Sequence, residues 1–118
     1  MKNYKQLIVW QKGVELVKQA YLLTKQLPQE EKFGIISQIN RASVSIPANI
    51  AEGSSRDSDK DYCRFLQIAL GSAFELQTYC CLIRNLGWNP SNINDFEYLL
   101  EEIIKMLHSF IKQTKANG

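Results

Sequence analysis

Ten consecutive residues, Ala42 to Ala51, carry no charge although their spacing reads as helix. At about 100° per residue, Ile35, Ile39, Ala42, Ile46 and Ile50 fall on one stripe, and Gln38, Arg41, Ser45, Asn49 and Glu52 line up beside it. The remaining arc, with Val44, Ala48 and Ala51, holds small or apolar residues where a surface helix carries charge. The pattern predicts a helix covered by its own core neighbours and by something beyond them. For a small helical chain, further copies of itself can supply that cover, so the stretch predicts a homo-oligomer.

A chain of 118 residues can enclose one core but not two, so residues 1–118 are expected to form a single domain. Aliphatic and aromatic residues at 45% and charged ones at 22% exclude wholesale disorder. The net charge of +2 is too small to name a partner, but it is unevenly spread. Up to Leu27, Lys2, Lys5, Lys12, Lys18 and Lys25 face only Glu15, giving +4, and the remainder sums to −2. Lys5, Lys12, Lys18 and Lys25 are therefore the candidate nucleic-acid contacts, against the alternative of an ordinary solvated face.

No apolar run approaches the roughly 20 residues that cross a bilayer, and no signal-peptide core follows the first five residues. The expectation is a cytoplasmic protein with no membrane partner. Cys63, Cys80 and Cys81 are an odd count with two adjacent, which fits neither a disulfide framework nor a zinc spacing. They are expected in or near the core.

Four helices follow from the periodicity. The first is expected from about Gln6 to about Gln26, with Leu7, Trp10, Val14, Val17, Tyr21 and Thr24 on one stripe and Val9, Gly13, Leu16, Ala20, Leu23 and Leu27 on a second. Gly13 points to a tight helix contact or a tolerated defect, and Pro28 ends the helix. The second spans about Ile35 to Glu52 and should kink near Ser43 to Pro47, with Ser43 and Ser45 capping the carbonyls so freed and Gly53 as C-cap. The third begins at Ser58 as N-cap, with Asp61 three residues on, and runs to about Leu86, where Gly87 stops it. Its stripe is Tyr62, Leu66, Ala69, Ala73, Leu76, Cys80 and Ile83. The fourth runs from about Asn92 or Asp95 to about Lys115, with Phe96, Leu100, Ile103, Leu107, Phe110 and Thr114 inward. Short links between four long helices predict an all-α, up-down-up-down antiparallel four-helix bundle with a proline kink in its second helix.

Signs of chemistry are scarce. His108 is the only histidine, lies off the Leu107 stripe and has no paired nucleophile, so a surface role is expected. Inward Glu-x-x-His pairs, a phosphate loop and a dinucleotide fingerprint are all absent from the sequence. The expectation is a non-enzyme with no catalytic residues, cofactor, metal or small-molecule substrate. One polar constellation stands out: Arg41, Ser45, Asn49 and Glu52 on the second helix with Ser72 and Glu75 on the third. It reads as a structural hydrogen-bonded network in which Arg41 or Arg64 partners the acids. The alternatives are a small-molecule or enzymatic site built on Asn49, Glu52 and Glu75, and a plain protein-interaction module.

Three segments carry a family resemblance: Tyr4 to Lys12, Ser37 to Gly53 with its Ser-Ile-Pro-Ala-Asn-Ile-Ala-Glu-Gly ending, and Phe65 to Leu76. Together the chain resembles the four-helix bundle proteins encoded in intervening sequences of bacterial 23S ribosomal RNA genes, a group also labelled S23 ribosomal protein. The fold is similar to the accessory variability determinant of diversity-generating retroelements, a strongly basic, barrel-like homopentamer that associates with a reverse transcriptase and nucleic acid. Through Ser45 to Gly53 and Gly71 to Glu75 the resemblance implies the fold and self-association rather than catalysis, and the family as a whole implies a homopentamer with RNA or nucleoprotein as a partner. This chain departs from that relative in being nearly neutral, and affinity for nucleic acid scales with the phosphates neutralised.

Overall fold

A computed structural model describes residues 3–117, so Lys2 lies outside the described residues. Four helices make up the fold: α1 (Ile8–Thr24), α2 (Ile35–Ser54), α3 (Asp59–Asn85) and α4 (Ile93–Asn117), with 3-10 turns at Tyr4–Gln6 and Gln29–Glu31 and no strand among the described residues. Each helix packs on its two neighbours, α1 on α2, α2 on α3, α3 on α4 and α4 on α1. Among the described residues the backbones of the diagonal pairs α1–α3 and α2–α4 do not approach each other. Along α1–α2, α2–α3 and α1–α4, contacts run in opposite senses. Thr24 reaches Asn40 while Gly13 meets Pro47. Ser45 meets Ser72 while Gly53 meets Tyr62. Lys12 reaches Glu102 while Gln19 reaches Asn92.

The core is drawn from the second stripe of α1, the isoleucine stripe of α2 and the predicted stripes of α3 and α4. Leu16, Ala20, Leu23, Ile46, Ile50, Leu66, Leu76, Ile83, Ile103 and Leu107 are fully buried. The other predicted stripe of α1 is a flank rather than a core face. Trp10 and Val17 are half-buried, whereas Val14 and Tyr21 are 38% and 46% exposed.

Helix boundaries depart from the sequence-based expectation in places that have local causes. Asn3 caps the Tyr4–Gln6 turn by accepting from the Lys5 N–H, and Leu7 then adopts an extended conformation that separates this turn from α1. The expected glycine cap on α2 is absent: Gly53 lies inside the helix and Ser55 is the C-cap. Gly53 is small for a packing reason, since a Cβ there would sit 2.8 Å from Tyr62 Cδ1 and 2.9 Å from Phe65 Cβ. Gly13 is explained similarly, its Cβ position lying 3.3 Å from Pro47 Cβ. The α1–α2 contact thus uses the smallest residue opposite the proline. Ser43 donates to the Asn40 carbonyl at 2.8 Å, and the Ser45 hydroxyl bonds to Ser72 and Asn49, so both serines serve the helix and its neighbour rather than the freed carbonyl.

At the start of α3, the Ser58 hydroxyl accepts from the Asp61 N–H at 3.1 Å, with Asp59 and Asp61 in the first turn. Such caps contribute about 1 kcal/mol. Ser58→Ala is therefore expected to lower stability by about that amount and Ser58→Asp to retain it, as a urea denaturation series would show. At the far end Gly87 takes φ +78°, the left-handed turn that stops α3. By length and composition α3 is long and apolar enough to cross a membrane, contrary to expectation. Its apolar stripe, however, is the core stripe just described.

Candidate functional site

The polar constellation on α2 and α3 resolves into separate pieces. At its centre Ser72 donates to the Ser45 hydroxyl at 2.9 Å, and the Asn49 amide donates to both the hydroxyl and the carbonyl of Ser45 at 2.9 and 2.8 Å. Ser72 is buried, while Ser45 and Asn49 are half-buried, so this group bridges the helices close to the surface. The acids lie outside it and are exposed. Glu52 pairs with Arg56 at 2.7 Å, and Glu75 accepts from the Tyr79 hydroxyl at 3.1 Å. The expected partners differ as well: Arg41 donates to Gln38 at 2.8 Å and Arg64 pairs with Asp61 at 3.0 Å. Burial, then the hydrogen bond and charge of Glu75, hold the Tyr79 hydroxyl above its ordinary value, and Arg41 pulls it the other way.

Below this group, the α2–α3 turn carries a stacked charge cluster. The guanidiniums of Arg56 and Arg64 each lie 4.6 Å from the centre of the Phe65 ring. Together they cover the ring of Phe65, a buried residue whose Cβ abuts Gly53. Arg56 also approaches Asp61 at 3.9 Å. The guanidiniums here are engaged by Glu52, Asp61 and Phe65, which makes the cluster a clasp on the turn.

The uncharged stretch of α2 is half covered by its own chain. Ala42, Ser43, Ile46, Pro47 and Ile50 are buried, whereas Val44 is 43% exposed and Ala48 is exposed. On neighbouring α3, Ile68 is 42% and Leu82 43% exposed, and between them lies Gly71. Gly13 and Gly53 each have a packing reason for lacking a side chain, but a Cβ at Gly71 would meet nothing within 4 Å. A glycine in a helix interior costs about 1 kcal/mol relative to alanine. Nothing among the described residues accounts for that cost.

The α1 lysines do not form one stripe. Lys12 turns toward α4 and pairs with Glu102 at 3.4 Å, while Lys18 lies 3.7 Å from Glu15 and, like Lys5 and Lys25, is exposed. An open groove of about 890 Å³ lies between the start of α3 and the end of α4, lined by Ser58, Asp61, Cys63, Arg64, Thr114 and Lys115 among others. Asn49, Glu52 and Glu75 do not line it. His108 is exposed, its ring 6.2 Å from that of Phe74. Among the described residues no group of histidine, cysteine, aspartate or glutamate is arranged to hold a metal ion.

Cys63 and Cys80 are buried and Cys81 is exposed. Burial, aided by the charge of Glu97, pushes the Cys80 thiol from 9.0 up to about 12. A raised folded-state value leaves stability untouched below the unfolded value and erodes it above, because the unfolded thiol then loses its proton first. Urea midpoints of the native chain should therefore fall between pH 9.0 and about 12 more steeply than those of Cys80→Ala. At pH 8 iodoacetamide should label Cys81 and spare the other two cysteines.

The geometry defines an all-helical bundle whose distinguishing surface lies along α2 and α3, where α2 carries no charge from Ala42 to Ala51, beside a small serine–asparagine bridge. The chain belongs to the 23S rRNA-intervening sequence protein family, whose sequence model matches residues 5–109. It is similar to a crystal structure from Bacteroides thetaiotaomicron, described as a protein of unknown function from the S23 ribosomal protein family. The TM-score is 0.80 at 32% identity, over 89% of this chain and 96% of that one. Among curated proteins none matches.

Proposed function

We propose that this protein is a non-enzymatic, homo-oligomeric bundle that works in the cytoplasm as an RNA- or nucleoprotein-associated adaptor. The observation that carries the self-association is Gly71: a helix-interior glycine facing open space, one turn from exposed Ile68 and next to Ser72, which bonds across to Ser45 on the helix that also exposes Val44 and Ala48. A second helix lying close against that position would account both for the missing side chain and for the missing charge. The family resemblance supports a homopentamer, and mass measurement in solution at micromolar concentration tests it. A monomer removes the reading.

The nucleic-acid half is supported by the family and by the exposed lysines Lys5 and Lys25. It predicts RNA affinity that is strongest at low salt and falls as salt rises. Affinity indifferent to salt, or none at low salt, removes that half and leaves an oligomeric interaction module.

A further inference from the structure

Resting on the self-association reading above, we infer that the copies join head to tail, with the outer face of α1 on one copy seated against the outer face of α3 on the next. Among the described residues, eleven large hydrophobic side chains are exposed. Four of them, Ile8, Val14, Tyr21 and Leu22, are on α1, and Ile68, Phe74 and Leu82 are on α3, with Leu86 at its C-cap. Since α1 and α3 are diagonal in the bundle, these are two separate surfaces. A two-fold joint pairing like with like would cover one of them and leave the other wet. A head-to-tail joint covers both and repeats, closing into a ring when the rotation allows.

The two faces also match in height, sense and charge. Gly13 packs on Pro47 and Ser45 bonds to Ser72, which places Val14 of α1 level with Gly71 of α3. The two helices run the same way, because each is antiparallel to α2 between them. One turn beyond Val14 is Lys18, and one turn beyond Gly71 is Glu75. Laid side by side, the Val14 side chain of one copy fills the open space over Gly71 of the next, and the exposed Lys18 ammonium meets the exposed Glu75 carboxylate. The occupant that fits the empty site at Gly71 is thus a segment of this same chain.

The test starts from a Cys81→Ser background, which removes the exposed native thiol while Cys63 and Cys80 stay buried. Val14→Cys and Gly71→Cys chains, co-expressed and mildly oxidised, are expected to give a disulfide-linked dimer that neither variant gives alone. Lys18→Glu is expected to weaken assembly about tenfold or more by setting like charges together, with Glu75→Lys on the same chain restoring it. Self-crosslinking of either single variant as strong as the mixture overturns the joint in favour of a two-fold one. An oligomeric mass without the mixed crosslink overturns the joint alone. A monomeric mass for the unaltered chain removes the self-association reading and the joint with it.

Discussion

Phe96→Ala is expected to cost about 3–5 kcal/mol, the largest loss from a single side chain in this fold. Phe96 is 1% exposed and is the bulkiest of the fully buried residues, so its removal takes away a whole ring from a packed interior. Since a domain of this size holds about 5–15 kcal/mol in total, the variant should approach the edge of folding. Urea denaturation would show a midpoint shift with an unchanged slope, and Phe96→Leu, which refills most of the volume, should recover much of the loss. A Phe96→Ala chain as stable as the native one would mean that the first turn of α4 is not packed as described.

Gly53→Ala is expected to destabilise by about 1–3 kcal/mol even though alanine is the better helix former. The new methyl would meet Tyr62 at 2.8 Å and the Cβ of Phe65 at 2.9 Å. Phe65 has little freedom to retreat, because Arg56 and Arg64 are stacked on its ring. Gly71→Ala is the control with the opposite sign. With nothing within 4 Å, it should stabilise a single chain by up to about 1 kcal/mol at high dilution. The same substitution should weaken self-association at high concentration. Thermal unfolding at two protein concentrations separates the two effects.

Much of the fold was legible because helical periodicity and capping are local. The Ser58 cap, the Gly87 stop and the buried stripe from Tyr62 to Ile83 follow from residue order alone. Two stripes on α1 were equally apolar in sequence, and only the placement of α2 and α4 decided that Val9, Gly13, Leu16, Ala20 and Leu23 face inward while Val14 and Tyr21 do not. Gly53 reads as a helix stop from sequence and is a packing glycine in the structure, because its reason lies on the following helix. The candidate polar group was legible in part. The Ser45–Asn49–Ser72 bridge joins, but Glu52 is drawn away by Arg56, an i, i+4 pairing readable from the sequence. The engagement of Gln26 with Asn92, sixty-six positions apart, carries no local signal.

That last tie has a consequence for how the molecule breathes. Gln26 donates to Asn92 at 3.1 Å and accepts from the Ser91 N–H at 2.7 Å, while Asn92 donates back to the carbonyl and side chain of Gln19. Arg84 reaches across the same link to Asn94 and Glu97. The close of the first helix and the opening of the last are therefore sewn into one patch, although they are remote along the chain. Their backbone amides should exchange with deuterated water as a single cooperative unit, at a common rate slower than that of the Gln29–Glu31 turn beside them.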